Sequence, residues 1–103
     1  MPHETVFREI FGDHPIIKVL DFLITFQLFD YPLTEIAKHS SVSYSTLQSF
    51  WHRLLAHGLV IKTRRVGKSD LYKLNTDNPA IKQLLQLDWN FIHGSEKKIM
   101  LSA

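Results

Sequence analysis

Between residues 43 and 73 two kinds of polar side chain are grouped as a polyanion would need them. In "SYSTLQSFWHRLLAH" Leu47, Phe50, Trp51, Leu54 and Leu55 recur at helical spacing on one face. The opposite face carries Tyr44, Ser45, Gln48, Ser49, His52 and Arg53. Then "VIKTRRVGKSDLYKL" holds six charges in fifteen residues: Lys62, Arg64, Arg65, Lys68 and Lys73 are basic, and Asp70 alone is acidic. Hydroxyls, imidazole and carboxamide can read the donors and acceptors on base-pair edges, and a carboxamide such as Gln48 can bridge an adenine. Lysine and arginine instead neutralise phosphates and release counterions. Tyr44, Ser45, Gln48, Ser49 and His52 are therefore candidate base readers. Ser43, Tyr44, Thr46 and Arg53 suit backbone phosphates. Lys62, Arg64, Arg65, Lys68 and Lys73 suit phosphates along the adjacent minor groove, with Gly67 permitting close approach.

Those residues need elements to hold them. A short helix from Thr34 to about Ser40 buries Ile36 and Ala37, and "SSV" makes a bend. A second helix starts with Ser43 as its N-cap and runs to His57, so that 34–57 reads as two helices crossing at a tight turn. Such a pair can place its second helix in a major groove. Gly58 closes that helix, and residues 59–75 read as an antiparallel hairpin turning at Gly67. There Leu59, Ile61 and Thr63 are expected on one side and Val60, Lys62 and Arg64 on the other. Upstream, a helix over 14–29 is expected with Asp13 as N-cap and Pro15 in its first turn, ending before Pro32. Downstream, Asn78 and Pro79 open a helix over 79–101, with Gly94 a possible end.

Both flanking helices are more apolar than a monomer this small requires of a surface helix. Ile17, Leu20, Phe22 and Ile24 in the first, with Leu84, Leu87, Trp89 and Phe91 in the last, are expected to form a homodimer interface.

The 103 residues fit one α+β domain, mostly α, over 1–103. No run reaches the roughly 20 apolar residues of a membrane span, and no leader is recognisable, so a cytoplasmic protein without membrane association is expected. Net charge is only +2, but it is segregated. Residues 1–32 carry two basic and five acidic side chains, residues 52–73 six basic and one acidic. One face of the fold should therefore be positive. The six histidines, His3, His14, His39, His52, His57 and His93, never pair at i, i+3 or i+4, and there is no cysteine, so neither a metal site nor another cofactor is expected. Gly-rich phosphate loops, GxSxG and HExxH are absent, and the serines near His52 lie on an exposed face, so no catalytic residue is assigned.

The segment "LTEIAKHSSVSYSTLQSFWHRLLAHGLVIKTRRVGKSDLYKLN" resembles the winged helix-turn-helix core of the MarR/ArsR-type prokaryotic regulators. Ile36 and Ala37 match the first helix, Val42 the turn, "S-x-S-T-L" the start of the recognition helix, Leu54 its end, "GLV" the entry to the wing and "LYKLN" its exit. With "GDHPIIKVLDFLI" before it and "NPAIKQLL" after it, the chain is similar to small archaeal regulators over nearly its whole length. The resemblance implies a homodimer joined through the first and last long helices on a pseudo-palindromic double-stranded operator, acting as a sequence-specific transcriptional regulator. Two departures stand out. Ser41 occupies a turn position where such motifs often have glycine, and the cysteines of the metal-sensing ArsR proteins are missing. Two other roles use the same fold: an adaptor that binds proteins, which would have no need of a basic wing, and an architectural or partition protein using the same DNA contacts.

Overall fold

The computed structural model describes residues 5–102, with side chains through residue 94; His3 and Glu4 lie outside the described residues. The chain runs α1 (Val6–Phe11), α2 (Pro15–Thr25), β1 (Tyr31–Pro32), α3 (Leu33–His39), α4 (Tyr44–Ala56), β2 (Val60–Val66), β3 (Ser69–Leu74) and α5 (Pro79–Ser102). The three strands form one antiparallel sheet in the order β1-β3-β2. The core is built from Phe7 of α1, Val19 and Leu23 of α2, Ile36 of α3, Leu47 of α4, Val60 and Leu74 of the hairpin, and Ile81 of α5. Every element except the short edge strand β1 thus contributes a side chain to one core.

The N-terminal third departs from the pattern expected. α1 is an extra helix capped by Thr5, whose Oγ1 accepts from the Arg8 amide at 3.1 Å. Its six residues were too few to show a period, and Phe7 secures it by burial in the core. The N-cap of α2 is His14, whose Nδ1 accepts from the Ile16 amide at 3.3 Å. Asp13, expected there, instead accepts from Arg8 Nη2 at 2.7 Å and Nε at 2.9 Å.

α2 also stops at Thr25, four residues short of the expected Phe29, because the following chain is claimed by the sheet. Tyr31 pairs with Tyr72 and Pro32 with Leu71. A proline lacks a donor and is tolerated on this edge strand. The apolar residues left in the connection, Leu28 and Phe29, are 86% and 61% exposed.

The helix-turn-helix agrees with its sequence signals to within one or two residues. The Ser40 amide donates to Ile36 O and the Val42 amide to Ala37 O, both at 3.0 Å. Between them Ser41 takes φ of 57°, the left-handed conformation that favours glycine. Lys18 Nζ from α2 donates to the Ser41 carbonyl at 3.0 Å and helps hold the turn.

The end of α4 and the start of α5 are tied together. Asn78 Oδ1 accepts from the Ala80 amide at 2.7 Å, capping α5, while its Nδ2 donates to Gly58 O at 2.9 Å and His57 O at 3.2 Å. Gly58 has φ of 70°, and a Cβ there would sit 3.2 Å from Asn78 Nδ2, so both conformation and space call for glycine. Gly94 does not end α5, which continues through it to Ser102. Among the described residues no helix is long and apolar enough to cross a membrane.

Candidate nucleic-acid interface

α4 is held by its apolar face: Leu47, Phe50, Trp51 and Leu54 are buried. Leu55, expected with them, is partly exposed. The opposite face is open, with Tyr44, Ser45, Gln48, Ser49, His52 and Arg53 all exposed. Ser43 Oγ caps the helix by accepting from the Thr46 amide at 3.1 Å, and it donates to Thr46 Oγ1 at 2.7 Å. Ser49 Oγ donates to Thr46 O at 2.5 Å, and Ser43 and Ser45 hydroxyls lie 3.4 Å apart. The hydroxyls of Ser43 and Ser49 thus serve the helix itself. Among the described residues no hydrogen bond or ion pair engages the side chains of Gln48, His52 or Arg53, so their polar groups are available to an incoming ligand.

The hairpin is less regular than its alternation implied. A bulge falls between Lys62 and Arg64, so Lys62 pairs with Tyr72, Arg64 with Leu71, and Arg65 with Asp70. The extra residue, Thr63, reverses the alternation beyond it. Tyr72 and Asp70 are two apart on β3 and share a face, so their directly opposed partners Lys62 and Arg65 share it too. Lys62 and Arg64, expected on one side, are therefore on opposite sides. Tyr72 identifies the shared side as the one toward α4, since its ring meets Trp51 edge-on with centroids 5.4 Å apart.

On the far side Arg64 is not free. Its Nε and Nη2 donate to Asp30 Oδ2 and Oδ1 at 3.0 Å and 3.1 Å, and Thr63 Oγ1 donates to Asp30 Oδ2 at 2.5 Å. The Arg64 guanidinium and then the Thr63 hydroxyl hold the Asp30 carboxyl below its usual range, and Asp30 in turn raises the pKa of Arg64. Lys62 Nζ and Arg65 Nη1 approach Asp70 Oδ1 at 3.7 Å and 3.9 Å. Among the described residues no ion pair holds Lys68 or Lys73; Lys68 lies at the exposed tip beside Gly67, which has φ of 61°, while Lys73 is half-buried.

A cleft of about 230 Å³ separates the hairpin from the start of α4, lined by Thr34, Tyr44, Lys68, Asp70 and Tyr72 among others. Burial first, and then the charge of Asp70 and the nearby Tyr44, push the Tyr72 phenol above its usual range. Expected residues of the helix and of the hairpin tip are thus brought to one side of the molecule. Arg64 is separated from them. Asp30, Asp70 and Tyr72 were not singled out in advance as site residues. Asp70 was visible as the only acid in a basic hairpin, whereas nothing local marked Asp30 as a partner for residues more than thirty positions away.

The residues expected at a subunit interface divide in the same way. Phe22 and Ile24, expected at that interface, are 8% and 6% exposed and fill the core of the single chain. Ile17, Leu20 and Leu84 pack partly buried against that core. Phe91 is half-buried, with its ring 6.1 Å from that of Phe11. Leu87 and Trp89 are exposed, Trp89 to 58%, and Ile10, Phe11 and Ile92 join them as exposed apolar residues of α1 and α5. Asp88, on the inner side of α5, has its carboxyl pushed up by burial and by Asp21. Among the described residues no cluster of three or more potential metal ligands occurs.

No family model and no curated protein matches the sequence. Among solved structures the chain is similar to the crystal structure of the AntR antimony-specific transcriptional repressor, with a TM-score of 0.57 and 18% identity over 78% of this chain and 68% of that chain. At that identity the likeness is one of fold. The chain is an α+β winged helix-turn-helix protein, with α3 and α4 as the helix pair and β2–β3 as the wing.

Proposed function

We propose that the protein is a non-enzymatic, sequence-specific DNA-binding transcriptional regulator that acts as a homodimer. The observation that carries this reading is the exposed face of α4, where the polar groups of Gln48, His52 and Arg53 are uncommitted beside a wing with Lys68 at its tip. α4 enters the major groove, where Tyr44, Ser45, Gln48, Ser49 and His52 lie nearest base edges and Arg53 meets phosphate. The wing follows the backbone toward the minor groove, with Lys62, Arg65 and Lys68 as its phosphate contacts. Ser43 and Thr46 act chiefly by setting the start of the helix, since their hydroxyls already bond each other.

The dimer forms through α1 and α5, where Phe11, Leu87, Trp89 and Ile92 are apolar side chains that a single chain leaves exposed. A two-fold dimer would read a pseudo-palindromic operator. The fold is shared with a protein described as an antimony-specific transcriptional repressor. This sequence contains no cysteine, so a thiolate site for a soft metal or metalloid has no ligands here.

The test is fluorescence anisotropy of a selected duplex and a scrambled duplex from about 50 to about 300 mM salt, with the protein's mass checked by light scattering. A dimer that prefers one sequence, with steeply salt-dependent affinity, supports the regulator. Equal binding of both duplexes would indicate an architectural role. No binding at the lowest salt would overturn the reading in favour of a protein-binding adaptor.

A further inference from the structure

The cations of the wing are held in three different ways. Arg64 is committed: two hydrogen bonds at 3.0 Å and 3.1 Å tie its guanidinium to Asp30. Lys68, at the tip, has no ion pair among the described residues. Lys62 and Arg65 are intermediate, because both point toward the same carboxylate oxygen, Asp70 Oδ1, from 3.7 Å and 3.9 Å. Those separations are attractive but too long for hydrogen bonds. Asp70 Oδ1 is buried and has no hydrogen-bond partner among the described residues. A buried carboxylate oxygen without a hydrogen bond is poorly satisfied, and of the two cations only Arg65 has a further partner, its Nε donating to Gly67 O at 3.4 Å.

Position adds to this. The bulge at Thr63 is what brings Arg65 to the side facing α4 that Lys62 already occupies opposite Tyr72. Asp70 lies there with Tyr72, on the wall of the cleft that separates the wing from Tyr44 at the start of α4. A DNA strand leaving the groove occupied by α4 would pass this cleft, and a phosphate there could give Lys62 and Arg65 the charge-assisted hydrogen bonds that Asp70 does not.

We propose that Asp70 is an internal counter-charge that stands in for a DNA phosphate between Lys62 and Arg65. In the free protein it screens the two cations. On DNA they turn to phosphate while the carboxylate remains close by, repelling the backbone and lowering affinity for any duplex. Asp70 is thereby a specificity-determining residue. It weakens the sequence-independent part of binding and leaves the base contacts of α4 a larger share of the total. The proposal rests on the DNA-binding reading above.

The experiment compares wild type with Asp70→Asn on a scrambled duplex and on a selected one, across a salt series by anisotropy, with folding checked by circular dichroism. Asp13→Asn serves as the control, since it removes one negative charge that is paired with Arg8 and not with a wing cation. Asp70→Asn should bind the scrambled duplex roughly two- to fivefold more tightly per protomer, the scale of an exposed charge pair, and narrow the preference for the selected duplex. Asp13→Asn should change neither. A second comparison does not require Asp70 to be altered: Lys62→Gln should cost less affinity than Lys68→Gln, because only Lys62 is already countered within the protein. The proposal is overturned if Asp70→Asn binds as wild type does, if Asp13→Asn tightens binding equally, or if Lys62→Gln costs as much as Lys68→Gln. In each of those cases wild type still binds DNA. Failure of wild type to bind either duplex at the lowest salt would overturn the underlying DNA-binding reading as well.

Discussion

Arg64 of the wing and Asp30 of the connection before the edge strand form a two-pronged pair, Nε to Oδ2 at 3.0 Å and Nη2 to Oδ1 at 3.1 Å. Thr63, the extra residue of the bulge, bonds the same carboxylate. One acid thus fastens the wing to the rest of the sheet and leaves one of the wing's arginines already paired. Because its partners hold Asp30 below its ordinary value of 3.8, the carboxylate favours the folded state when ionised. That contribution is complete at pH values above the ordinary carboxylate range and is lost as pH falls through the depressed pKa. Asp30→Asn should melt below wild type by a constant interval from neutrality down to about pH 5, and the interval should narrow below about pH 4. Thermal melts of the two proteins in a pH series measure it; an interval independent of pH would exclude the ion pair as its source.

Changing Gln48 to Ala removes an exposed carboxamide that supports no part of the fold. Stability should stay within about 0.5 kcal/mol of wild type. On DNA the variant should lose roughly 1 to 3 kcal/mol of discrimination at one base pair while binding scrambled sequence as before. Titration of single-base-substituted duplexes checks this, and unchanged discrimination at every position would remove Gln48 from the readers.

Ser43 makes a capping hydrogen bond of 3.1 Å to the Thr46 amide. Ser43→Ala should destabilise the fold by about 1 kcal/mol, as lost caps do. Urea denaturation provides the measurement. A normal midpoint would mean that α4 is held by its core face alone.

Ser41 has φ of 57°, where a side chain costs roughly 1 to 2 kcal/mol relative to the ordinary helical region. Ser41→Gly removes that strain but adds chain entropy to the unfolded state, which offsets part of the gain. The net effect should be a rise in stability of up to about 1 kcal/mol. A lower denaturation midpoint would contradict it.

Trp89 is 58% exposed on α5 although it is one of the largest apolar side chains in the protein. Trp89→Glu should leave the monomer fold intact by circular dichroism while lowering the mass seen by light scattering from dimer to monomer. A dimer that persists in this variant would place the contact elsewhere on the surface.

Much of the architecture was legible locally. Ser43 before a run with Leu47, Phe50, Trp51 and Leu54 at helical spacing specified α4 and its buried face, because a cap and a 3.6-residue period act within a few residues of each other. Gly67 between two alternating segments marked the hairpin, and Asn78 with Pro79 marked the start of α5. The polar face of α4 and the excess of cations in the hairpin were likewise properties of composition and period.

What only the tertiary structure decided are the relationships between distant segments. The period of α2 extends past Thr25, yet the chain leaves the helix because Tyr31 and Pro32 pair with Leu71 and Tyr72, forty residues away. Phe22 and Ile24 read as surplus apolar residues of a single helix, but the packing of the other elements buries both. The bulge at Thr63 is a matter of register between β2 and β3, and it determines which wing cations face α4. Asp30 pairs closely with Arg64 at 3.0 Å, whereas Asp70 stands 3.7 Å and 3.9 Å from Lys62 and Arg65. Hydrogen-bond register and ion pairing depend on where chain segments meet in space, whereas caps, turns and helical periods are set by near neighbours along the chain.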